Sequence, residues 1–152
     1  MSEEKQLTIS AIKEGTVIDH IPSESTIKVV EILDLEKTEK IVSIATNLKS
    51  ETLGKKGIVK IGGVELTEED ANKIAIIAPN ATLNKIKDYK VSEKTKLHIP
   101  DHLTNILKCY NPKCITNHED MQTKFSVLNK KPLKVKCRYC EKCMKRKDIV
   151  LK

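Results

Sequence analysis

The sequence predicts an α+β fold in two unlike parts: an antiparallel sheet with two helices, then a small all-β domain rich in cysteine. Three observations predict it. Over the first hundred residues the apolar period switches in the order strand, helix, strand, strand, helix, strand. All five cysteines fall between Cys109 and Cys143. Charge divides the same way: residues 1–100 hold 15 Lys/Arg and 16 Asp/Glu, a net of −1, whereas 101–152 hold 13 and 5, a net of +8. The expected boundary lies in "KLHIPDHLTN", where Pro100 breaks the chain, giving domains 1–100 and 101–152.

In the first element Val17, Asp19 and Ile21 alternate with Thr16, Ile18 and His20, a strand that stops at Pro22. Ser23 is the expected N-cap of a helix whose Thr26, Val29, Val30 and Leu33 recur at i, i+3, i+4 and i+7. Val42, Ile44, Thr46 and Leu48 then alternate as a half-buried strand, "SETLGKKG" reads as a hairpin loop, and "GIVKIGG" as the returning strand. Thr67 with Asp70 resembles a capping box opening a helix through Ala71, Ile74, Ala75 and Ala78, ended by Pro79. "NATLNKIKDYKV" reads as one last strand of irregular alternation. That order is the split βαβ, or ferredoxin-like, arrangement, which hosts many functions and fixes none. Beyond it, Asp101 is placed to cap a short helix beginning at His102.

Composition narrows the class. Aromatics are only 3% with no Trp, so the core must be Ile, Val, Leu and Ala, thin for a small domain standing alone. No apolar run approaches a membrane span. The first ten residues, "MSEEKQLTIS", are polar and acidic, unlike a signal peptide, so a cytoplasmic location is expected. In a reducing compartment spaced cysteines are metal ligands more often than disulfides.

The second part offers Cys109-x4-Cys114, then Cys137-x2-Cys140, with Cys143 beyond. Two short loops giving two sulfurs each can close a tetrahedron around one structural Zn2+. Between them Phe125 with Val127 and Leu133 with Val135 alternate as strands. A domain this small would draw most of its folding free energy from the metal. Spacing alone leaves Cys137/Cys140 and Cys140/Cys143 both open. Register favours the first pair, because Leu133, Val135 and Cys137 share a strand face. Four thiolates would leave His118 no coordination vacancy. They would carry a net −2 with Zn2+, which Lys136, Arg138, Lys142, Lys145 and Arg146 could offset.

Read together, "AIKEGTVIDHI" (11–21), "APNATLNKIKDYKV" (78–91), the two cysteine pairs and "CRYCEK" resemble the regulatory chain of aspartate carbamoyltransferase, over nearly the whole length. The resemblance implies a non-catalytic subunit. Its N-terminal domain would bind CTP, ATP and UTP. Its zinc domain would dock the catalytic chain, and regulatory homodimers would tie two catalytic trimers into a dodecamer with three such dimers. It also implies zinc ligands Cys109, Cys114, Cys137 and Cys140, with no ligand role for Cys143. For the effector it implies Lys60 and Lys94 at ribose and phosphates, His20 near the phosphates and Asp19 on the ribose. Ile12 and Tyr89 would offer backbone groups to the base, with Val17, Asn84, Ile86 and Val91 lining the pocket. Each has a plainer reading: Lys60 as a solvated outer-face lysine, Lys94 as an exposed loop residue, Asp19 as a surface carboxylate, His20 as a satisfied strand-end histidine.

A nucleic-acid-binding zinc ribbon is the rival reading, since the basic C-terminal part suits phosphates. Against it, "IVKIGG" lacks the stacking aromatics of RNA-binding sheets, so neither nucleic acid nor membrane is expected as a partner. Asp19-His20 reads poorly as a catalytic dyad, because adjacent strand residues face opposite ways. "LGKKG" lacks the spacing of a phosphate-binding P-loop. Leu97, Ile99, Leu103, Ile106 and Leu107 read either as an interface between the two domains or as core of the short helix.

Overall fold

The computed structural model describes residues 11–152; the polar stretch read above as unlike a signal peptide lies outside the described residues. The chain forms two compact units, one ending at His98 and the other starting at Ile99. No helix among the described residues is long and apolar enough to cross a membrane.

The first unit is an antiparallel five-stranded sheet in the order β2-β3-β1-β4-β5. Its strands are β1 (Gly15–Pro22), β2 (Val42–Ser50), β3 (Gly54–Gly62), β4 (Thr82–Lys87) and β5 (Lys90–Lys96). Helices α1 (Thr26–Ile32) and α2 (Glu68–Ile77) touch each other and so share one side of it. The first four strands follow the expected ferredoxin-like order. Ile18, Ile21, Val29, Val59, Ile61 and Ile74 are wholly buried and make the core.

Several local expectations give way to backbone detail. The single last strand is a hairpin, because Asp88 and Tyr89 both take positive φ (50° and 66°) as a two-residue turn of the primed type requires. All seven residues of β5 are exposed, so no core imposes alternation on them. The register of β1 shifts between Ile18 and Ile21, with His20 at φ 60°. This bulge sends both isoleucines to the core, so strict alternation fails there, and with it the placing of Asp19 and His20 on opposite faces. A second bulge lies at Asn47 (φ 62°), and on this edge strand Ile44 and Thr46 are exposed rather than half-buried. β3 begins at Gly54, so Lys55 and Lys56 of the expected loop are paired strand residues.

Ser23 does not cap α1. Residues 23–25 form a 3-10 turn, and the Ser23 hydroxyl instead accepts from the Asn47 N–H (2.6 Å) and donates to Asn47 Oδ1 (3.0 Å), tying down the β2 bulge. The α2 box does form: the Asp70 N–H donates to Thr67 Oγ1 (3.1 Å) and the Thr67 N–H to Asp70 Oδ2 (3.2 Å).

The second unit is a four-stranded sheet in the order β10-β9-β8-β6, with a short ribbon of β7 and β11. These are β6 (His102–Thr104), β7 (Leu107–Lys108), β8 (Lys124–Lys130), β9 (Leu133–Cys137), β10 (Cys143–Lys145) and β11 (Val150–Leu151). The short helix expected at His102 is strand β6 instead. Asp101 does not cap: its carbonyl accepts the Val127 N–H (2.8 Å), and its carboxylate lies 3.3 Å from Lys130 Nζ. Pairing with β8 gives this segment hydrogen bonds that a three-residue helix could not supply. Leu103, Phe125, Leu133, Val135 and Met144, all on the strands of this sheet, are buried and make its small core.

Candidate metal centre and effector pocket

The Sγ atoms of Cys109, Cys114, Cys137 and Cys140 all lie within 4.8 Å of one another. Cys109 and Cys140 approach to 3.7 Å, as do Cys114 and Cys137. A tetrahedron with metal–sulfur bonds of about 2.3 Å has sulfurs about 3.8 Å apart, so the four residues fit one structural Zn2+. Cys143 is exposed and outside the group.

Backbone geometry builds the two jaws. Cys109 follows β7. The loop to Cys114 is closed by the Cys114 N–H on the Asn111 carbonyl (3.0 Å). Cys137 ends β9, where the Glu141 N–H returns to its carbonyl (2.9 Å) and Glu141 takes φ 64°. Burial pushes the Cys109 and Cys137 thiols up. At Cys140 burial also acts upward, but the Lys142 N–H, the Asn111 side chain and the neighbouring thiols bring it down to about 7. An ion entering this site must therefore displace protons.

Sequence reasoning missed the supports of this site. Asn117 Nδ2 donates to the carbonyls of Cys109 (3.0 Å) and Asn111 (2.8 Å), and the buried Thr116 hydroxyl lies 3.1 Å from Cys114 Sγ. The signal was present as two polar residues soon after a candidate ligand. His118 is exposed, its Nε2 2.8 Å from the Pro112 carbonyl.

The other candidate residues cross the first sheet as a row. Lys60 on β3 is directly opposite Val17 on β1, Val17 opposite Asn84 on β4, and Asn84 opposite Lys94 on β5. Opposed residues share a face. Two residues along, Ile86 opposes Val91, and on the other flank Asp19 opposes Thr82 and Thr82 opposes Lys96. This face is the reverse of the one bearing Ile18, Val59 and Ile61. Asn84 Oδ1 is buried there without a hydrogen-bond partner. Buried polar atoms are rarely left so.

Two hollows flank the row. One, of about 620 Å³, is lined by His20, Thr82, Asn80, Thr52, Lys94 and Lys96. The other, of about 650 Å³, is lined by Ile12, Lys13, Ser43, Gly63 and Tyr89 among others. Thus His20 and Lys94 meet in one hollow, and Ile12 and Tyr89 in the other. Asp19 is not a free carboxylate: Lys56 Nζ lies 3.0 Å from it, and it accepts the His20 backbone N–H (2.6 Å). The His20 ring turns to the Thr82 hydroxyl (3.2 Å), so no Asp19–His20 side-chain dyad forms. Lys56, Thr82 and Lys96 carry no sequence signal of their own: a lysine in an apparent loop or edge strand, or a threonine inside a strand, is ordinary there, and only register brings them to His20 and Asp19.

Known proteins agree over both units. Residues 7–98 match the family described as aspartate carbamoyltransferase regulatory chain, allosteric domain, and 101–150 match the metal binding domain of the same chain. The regulatory chain of Pyrococcus abyssi is 54% identical over 147 residues, covering 95% of this chain and 97% of its own. That of Thermococcus sibiricus is 51% identical over 146 residues, covering 96% and 97%, and that of Bacteroides fragilis 51% over 152 residues, covering 99% of each. With both units matched in order and half the positions identical, the chain belongs to the family of aspartate carbamoyltransferase regulatory chains.

Proposed function

We propose that the chain is the non-catalytic allosteric subunit of aspartate carbamoyltransferase in pyrimidine biosynthesis, with residues 1–100 binding CTP, ATP or UTP and residues 101–152 docking the catalytic chain. The observation that carries the effector reading is the row Lys60–Val17–Asn84–Lys94 with its orphaned Asn84 amide oxygen. A nucleoside triphosphate asks for cations at one end and a placed polar group at a base or ribose at the other. Lys94, Lys96 and His20 supply the first. Asn84 and the backbone around Ile12 and Tyr89 supply the second, with Val17, Ile86 and Val91 as apolar wall. Lys60 reaches the ribose side, and Asp19, steadied by Lys56, bounds it.

Cys109, Cys114, Cys137 and Cys140 would hold the zinc, which supplies a cross-link rather than chemistry. Regulatory chains would pair through their first units. The exposed Ile41 and Ile44 beside the free edge of β2 support such a pairing. Three such dimers would join two catalytic trimers in the cytoplasm.

The test is calorimetry on the full chain. Lys60→Ala and Lys94→Ala should each weaken CTP and ATP together, by about 10- to 100-fold, since a charge-assisted contact is worth roughly 1.5–3 kcal/mol. Undiminished binding in both variants would place the site elsewhere.

A further inference from the structure

Strands β6, β8, β9 and β10 contain no Asp or Glu, yet they carry Lys124, Lys130, Lys134, Lys136 and Lys145. Alternation turns Leu103, Phe125, Leu133, Val135, Cys137 and Met144 inward. Lys124, Lys134, Lys136 and Lys145 therefore share the outer face of this sheet with His102, Ser126 and Cys143. Register sharpens the pattern. Lys134 is directly opposite Lys145, and Lys136 lies between Ser126 on one neighbour and Cys143 on the other. Among the described residues, Lys130 alone of the five has an ion pair, with Asp101 at the margin. Asp148, three residues beyond Lys145, accepts that lysine's backbone N–H.

Like charges set directly opposite each other in a sheet destabilise it. A chain gains nothing in isolation from four unshielded lysines on one flat face. The face makes sense against a surface of opposite charge. We propose that it is a docking surface for an acidic patch on the catalytic chain. This rests on the reading that the second unit docks that chain, and adds which face does so and by what chemistry. Nucleic acid fits less well, because the face carries no aromatic side chain to stack a base and no strand arginine to fork onto a phosphate.

The test mixes the full chain with catalytic chain across a salt series. Wild type should associate with a steep salt dependence. The double variant Lys134→Glu, Lys145→Glu should bind at least about tenfold more weakly, with a flattened salt response and full zinc content. Lys134→Glu alone sets a carboxylate opposite Lys145. The free chain should then melt no lower than wild type while association still falls, a split that damage to the fold cannot produce. If the double variant loses zinc, this single variant decides by the same readouts. Unchanged association with an unchanged salt response overturns the proposal. So does retention of a duplex oligonucleotide by wild type at about 0.15 M salt, lost in the variant while catalytic-chain binding persists. A wild-type chain that never binds the catalytic chain overturns the docking reading itself.

Discussion

Asn84 concentrates the tension between stability and binding in one side chain. Its Oδ1 is buried with no partner, in the centre of a row that ends in lysines. Such an atom costs about 1–3 kcal/mol in the unliganded chain. Asn84→Leu, of similar size, should therefore raise the urea midpoint of the free chain and lower CTP affinity. A variant that loses stability instead would show that the amide already has a partner. The cysteines invite a sharper comparison, because Cys140 and Cys143 are three residues apart and only one belongs to the cluster. Cys140→Ser should cut metal content sharply. Cys143→Ser should leave it at one ion per chain, as measured by atomic absorption. The reverse pattern would make Cys143 the ligand. The cysteine pairs were legible in the sequence because metal geometry ties ligands to short spacings. The row across the first sheet was legible only through the family resemblance, because Lys60, Asn84 and Lys94 come from three strands and no local spacing ties them together.

At the scale of elements, the predictions that held had one face buried and a strong local signal. The box at Thr67 opens a helix whose buried Ile74 and Ala75 face the core, and both its hydrogen bonds are present. Thr67→Ala should cost about 1 kcal/mol, read as a lower denaturation midpoint with an unchanged slope. No change would mean that packing alone sets the start of α2. Where the sequence misled, the backbone left its ideal path at a residue with no reason of its own to do so. His20 and Asn47 take positive φ inside strands, and each shifts the face of every residue after it. Asp88 and Tyr89 form a primed turn without the glycine that would have announced it. The segment after Asp101 had helical spacing, but its partners on β8 lie 20 to 24 residues away, and pairing outweighed the local preference.

The whole molecule joins two units of unequal self-sufficiency. The first has a core of wholly buried isoleucines and valines across five strands and two helices. The second has a far smaller core and a sulfur cluster. Removing the metal with a mercurial should therefore unfold residues 101–152 and abolish association with the catalytic chain, while CTP binding survives. Loss of both together would mean that the units fold as one. Because effector and catalytic sites would lie on different chains, their communication must be a free energy of coupling, reciprocal by linkage. If CTP lowers aspartate affinity by some factor, a substrate analogue filling the catalytic sites must lower CTP affinity by the same factor, typically 5- to 150-fold. The boundary residues Leu97, Ile99, Leu103, Ile106 and Leu107 are all buried, and the short helix that was their plainer reading is absent, which leaves burial within their own units or an interface between them. Whether they carry that bias is a matter for mutation. Ile106→Val, which removes one methylene, should shrink both factors equally in the assembled enzyme while zinc content and CTP binding to the free chain stay the same. If one factor shrinks and the other does not, the change lies in kinetics rather than coupling. If neither moves, the boundary is passive and the bias travels by another surface.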